Sequence, residues 1–77
     1  MARVVKVCVV DSNGYGLSGQ KVKSYGGSEF RTDSDGYVKL TLDGSRTTIY
    51  VNGHTAYDGY VANLDPVETF TKSGGRL

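Results

Sequence analysis

Five residues in the second half of the chain, Asn52, His54, Tyr57, Asp58 and Tyr60, mix rings with hydrogen-bonding groups over a short span. A tyrosine can stack its ring on a sugar while its hydroxyl bonds to the same ligand, and neighbouring Asp and Asn add acceptors and donors. The same residue types also carry protein–protein contacts, in which tyrosine is enriched. The competing reading has these rings covering the ends of a small core. Catalysis is not expected. The single histidine, His54, would have to act as the base of any Ser/His/Asp set, and no G-x-S-x-G elbow accompanies it.

Metal and covalent chemistry are tested in the same way. Asp33-Ser34-Asp35-Gly36 matches the start of a D-x-D-x-D-G calcium loop, yet the third acidic position and the distal Glu are missing. An Asp that caps backbone amides in a turn explains the same residues. One His and one Cys are too few ligands for zinc. No metal and no cofactor are therefore expected. The lone cysteine, Cys8, excludes an intrachain disulfide, and its preferred reading is a small buried residue in a strand.

The elements that must position these groups are strands. A chain of 77 residues is long enough for one core, so 1–77 is read as a single domain, with an ordered core over about 3–71 and a flexible tail over 72–77. Its net charge of +1, with Lys and Arg scattered along the sequence, argues against nucleic acid as a partner. No segment approaches the length of apolar sequence that spans a membrane. The run Met1–Asp11 alternates and is interrupted by Lys6, so it reads as a first strand and not as a signal peptide. The compartment stays open.

Alternation predicts strands at Arg3–Val10, Gln20–Tyr25, Ser28–Thr32, Tyr37–Leu42, Thr47–Val51 and Val67–Thr71. His54–Asp65 reads either as a strand broken at Asp58-Gly59 or as an ordered loop. Turns fall at Asp11-Ser12-Asn13-Gly14, Gly26-Gly27, Asp33-Ser34-Asp35-Gly36, Asp43-Gly44 and Asn52-Gly53. The pair Asp33 and Asp35-Gly36 is expected to close a hairpin. No helical periodicity survives the glycines. The fold class is therefore all-β: a mostly antiparallel sandwich of about seven strands. Its expected core is Val5, Val7, Val9, Leu17, Val22, Phe30, Val38, Leu40, Leu42, Ile49 and Val51.

Three phrases carry a family likeness: Val5-x-Val7-x-Val9-x-Asp11, Asn13-Gly14-x-x-Leu17-x-Gly19-x-x-Val22, and Thr32-Asp33-x-Asp35-Gly36-x-Val38-x-Leu40. Together they resemble the carboxypeptidase regulatory-like domain, grouped with the transthyretin-like (prealbumin-like) sandwiches and the collagen-adhesin stalk repeats. The likeness fits the rest of the chain through Ile49-x-Val51 and Gly53. It departs from the family at Gln20, where a small residue is usual, and at Val38, where an aromatic is common.

The resemblance implies a transthyretin-like sandwich and a non-catalytic module that holds a protein partner or a second copy of itself. Carbohydrate binding through the loop tyrosines is the alternative. Relatives are usually appended as spacers and docking units, often in exported or envelope proteins. A chain of this kind is then either an excised domain or one that assembles with its copies. The related hydroxyisourate hydrolases need several His and Arg residues, so their activity is not expected here. Some adhesin-stalk relatives join a first-strand Lys to a late Asn or Asp by an isopeptide bond. Lys6 and Asn63 (or Asp65) are the corresponding candidates, with Glu29 or Glu68 as the assisting acid.

Overall fold

The computed structural model describes residues 3–72. The flexibility expected for 73–77 lies outside the described residues. Seven strands run in the order β1 (Arg3–Val10), β2 (Lys21–Ser24), β3 (Phe30–Arg31), β4 (Tyr37–Leu42), β5 (Arg46–Val51), β6 (His54–Tyr60) and β7 (Val67–Thr71). A 3₁₀ turn over Val61–Asn63 separates the last two. They form two sheets, ordered β4-β1-β7 and β3-β2-β5-β6. All pairings are antiparallel except that of β1 with β7. The chain is thus an all-β sandwich.

The core follows from alternation. Val5, Val7 and Val9 of β1 point inward with Leu40 and Leu42 of β4, and meet Val22, Ile49 and Val51 of the opposite sheet. Leu17 and Val38 pack against this cluster while partly buried. Phe30 departs from expectation and is 49% exposed. The reason is the mismatch in sheet width: β2 faces β4, the edge of the smaller sheet, so β3 lies beyond the strands of that sheet. The core instead gains Val61 and Leu64, which close one end from the 3₁₀ turn. Arg3 Nη1 donates to the Val61 carbonyl at 2.6 Å and ties that cap to the start of β1.

The Asp33–Gly36 turn is not a hairpin. β3 pairs with β2 in one sheet and β4 with β1 in the other, so the turn carries the chain across the sandwich. It repeats, bond for bond, the turn after β1. In Asp11–Tyr15 the Asp11 carboxylate accepts from the N–H of Asn13 and Tyr15 at 2.9 and 3.0 Å. In Asp33–Tyr37 the Asp33 carboxylate accepts from Asp35 and Tyr37 at the same two distances. The turn glycines, Gly14 and Gly36, hold φ values of 87° and 88°.

Their surroundings differ. A β-carbon at Gly36 would lie 2.7 Å from the Val9 carbonyl oxygen and 2.8 Å from Leu17 N, whereas one at Gly14 would meet nothing within 4 Å. Gly14→Ala is expected to cost on the order of 1 kcal/mol for its left-handed backbone. Gly36→Ala should cost several times more, because the clash is with backbone that cannot yield; equal chemical-denaturation midpoints for the two variants would contradict this packing. Val7→Asp, which places an uncompensated charge between the sheets, is expected to abolish the folded β-sheet circular dichroism signal.

Candidate functional site

The paired Asp turns are accounted for by folding. Each places one carboxylate oxygen on two backbone N–H groups. The bonds from Tyr37 and Asp35 hold the Asp33 carboxyl below its ordinary value of 3.8, with the Lys6 charge adding to the effect. A depressed carboxyl stabilises the fold above its unfolded pKa, and that contribution disappears as pH falls through the folded one. Asp33→Asn is therefore expected to melt lower than the parent at neutral pH. The gap should narrow as acid titrations pass below 3.8; a gap independent of pH would show that the charge is immaterial.

Cys8 is buried in the middle of β1 on the outward side. Tyr37 on β4 is its cross-strand partner. Coulombic repulsion from Cys8 first, and side-chain hydrogen bonding with Cys8 second, hold the Tyr37 hydroxyl above its ordinary value of 10.0. Lys6 lies on the same outward side, its ammonium 4.5 Å from the centre of the Tyr37 ring. Asn63 stands exposed in the 3₁₀ turn. The structure thus places the amine of the isopeptide pair on an outer sheet face and gives it an aromatic neighbour.

The five clustered candidates divide among different tasks. Asn52 and Gly53 have φ values of 52° and 84°, the signature of a type I′ hairpin turn between β5 and β6. The Asn52 side chain accepts from Lys21 N at 3.0 Å and donates to Gln20 Oε1 at 2.8 Å, joining this turn to the start of β2. His54 is exposed beside the turn. Strand β6 is continuous through Asp58-Gly59, with one register shift opposite Ile49/Tyr50. Continuity separates the tyrosines: Tyr57 pairs with inward Ile49, and Tyr60 pairs with outward Arg46. Tyr57 packs on the core and its hydroxyl donates to the Tyr60 carbonyl at 2.6 Å. That bond occupies part of an edge strand that would otherwise offer pairing to another chain.

Asp58 and Tyr60 belong to a different assembly, the outer face of the four-stranded sheet. Since Thr47, Ile49 and Val51 point inward, Arg46, Thr48 and Tyr50 point out. Beside them stand Lys21, Lys23 and Tyr25 on the β2 side and Asp58 and Tyr60 on the β6 side. Tyr25, Arg46, Thr47, Thr48, Tyr50 and Asp58 line an open concavity of about 380 Å³. Thr48 Oγ1 donates to Asp58 Oδ1 at 3.2 Å. Arg46 sits 5.1 Å from the Tyr60 ring centre and Lys23 sits 6.0 Å from that of Tyr50. Tyr25, Arg46, Thr48 and Tyr50 were absent from the expected site. Their i, i+2 spacing in Arg46-x-Thr48-x-Tyr50 and Lys21-x-Lys23-x-Tyr25 was the available signal.

No protein-family model, curated protein or solved structure matches this chain.

Proposed function

We propose that this domain is a non-catalytic binding module that holds carbohydrate on the outer face of its four-stranded sheet, within a transthyretin-like scaffold. The observation that carries the reading is the concavity of about 380 Å³ between Tyr25 and Asp58. Its size falls in the range of small-ligand sites. Its lining offers aromatic surface for a sugar ring and, in Arg46, Thr48 and Asp58, donors and acceptors for hydroxyl groups. Thr48 engages one carboxylate oxygen of Asp58, and in this reading the other accepts from a sugar hydroxyl. His54 stands at the opposite end of β6 from Tyr60, about 20 Å along the strand, which supports binding without catalysis.

A protein partner is the second reading, favoured by Tyr25 and Tyr60, which are 75% and 54% exposed. Aromatic residues and Arg anchor protein interfaces, but Lys and Asp are depleted there, and this face carries both. The charge content favours the sugar.

Tyr25→Ala is expected to weaken binding to the oligosaccharide that a glycan array selects by about tenfold or more, the loss of one stacked ring. Its melting temperature should stay within about 4 °C of the parent, because the side chain is mostly exposed. Tyr57→Ala should do the reverse, lowering the melting temperature and leaving affinity unchanged. Array binding untouched by Tyr25→Ala would remove the concavity as the site.

A further inference from the structure

The fold gathers charge that is scattered in sequence. Lys21 of β2 and Arg31 of β3 are direct cross-strand partners, so both project from the outer face of the four-stranded sheet. Lys23 follows two residues on, and Arg46 stands on β5 at the other side of the concavity. All four are exposed. Among the described residues, the carboxylates beside them are Asp58, in the β5–β6 register, and Glu29, one residue before β3. Like charges placed directly opposite one another destabilise a sheet. The comparable pair on the other sheet, Lys6 and Lys39, has Asp33 near enough to Lys6 to feel its field and the Tyr37 ring beneath its ammonium. The Lys21–Arg31 pair stands instead beside Lys23, a third cation.

From this arrangement we infer that the ligand on this face is an anionic polysaccharide, bearing carboxylate or sulfate groups along its chain. The inference rests on the carbohydrate reading above. A sugar ring occupies the concavity against Tyr25 and Tyr50, with hydroxyls bonded to Asp58 and Thr48. Its acidic substituents extend over Lys21, Lys23 and Arg31 in one direction and reach Arg46 in the other. Successive cations along β2 are separated by two residues, about 6.6 Å, and adjacent strands by about 4.8 Å. Both spacings are on the scale of a single sugar unit. Guanidinium and ammonium groups give charge-assisted hydrogen bonds to carboxylate and sulfate. A single-stranded nucleic acid would meet the same cations and rings; it is the competing occupant, and the titration separates the two.

The test uses the whole chain and four probes of similar length in calorimetric titration: a heparin-derived oligosaccharide, an oligogalacturonate, a neutral cello-oligosaccharide and a deoxythymidine oligonucleotide. One or both acidic glycans should bind more tightly than the neutral one, and that advantage should shrink as ionic strength rises from about 0.05 to 0.2 M. Replacing Lys21, Lys23 and Arg31 together by Ala should weaken acidic-glycan binding by about tenfold or more. The control Lys39→Ala, on the other sheet, should change nothing. Equal or tighter binding of the neutral glycan overturns the inference and leaves the carbohydrate face standing. Preference for the oligonucleotide overturns the inference, and binding of none of the four removes both readings.

Discussion

The sandwich depends on a place where backbone meets backbone with no side chain between. A β-carbon at Gly16 would overlap the Asp35 carbonyl, and one at Gly36 would press on Val9, Gly16 and Leu17. Val9 is the hinge of this contact, donating to the Gly36 carbonyl and accepting from Leu17 N, both at 2.8 Å. Thr32 completes it from the other sheet. Its buried hydroxyl donates to the Leu17 carbonyl at 2.5 Å and accepts from Gln20 N at 2.9 Å. Two crossovers between the sheets are therefore fixed against each other at one end. Once β2 is set over β4, the inward and outward sides of β5 and β6 follow from pairing alone.

How far the sequence could be read tracks how local the determining physics is. β1, β4 and β7 begin and end where alternation and turn chemistry place them, because each is decided by neighbours two residues apart. Phe30 misleads because its exposure is a matter of sheet width, which depends on how many strands stand opposite. Val61 and Leu64 escape notice for a similar reason: a short 3₁₀ turn has no period to read, and their burial comes from capping a core built elsewhere. Asp33–Gly36 has hairpin chemistry, yet the chain uses it to change sheets. A turn dictates a reversal, and what lies on either side decides which sheet receives each arm.

The candidate site was half legible. Asp58 and Tyr60 were in view, and Asn52 and Tyr57 were drawn into the same group by proximity in sequence. Pairing separates them, since neighbours along a strand face opposite sides. Tyrosine here does three distinct jobs. Tyr37 sits under the Lys6 ammonium, Tyr57 closes an edge, and Tyr25, Tyr50 and Tyr60 stand on the open face. The gathering of Lys21, Lys23, Arg31 and Arg46 needed the β2–β3 and β2–β5 registers, which no composition or charge count contains. A net charge near zero is compatible with a strongly one-sided face.

The parallel pairing of β1 with β7 has a mechanical meaning. Lys6 stands beside Val67 and Val10 beside Thr71, and Lys72 N donates to the Val10 carbonyl at 2.7 Å. The two strands therefore point the same way, and Arg3 and Lys72 lie toward opposite ends of one sheet. Tension applied between those residues pulls β1 and β7 along their own length. Their hydrogen bonds are then strained together in shear, and rupture requires many to fail at once. This is a geometry suited to carrying tension through the domain, with forced unfolding set by the barrier to that joint failure.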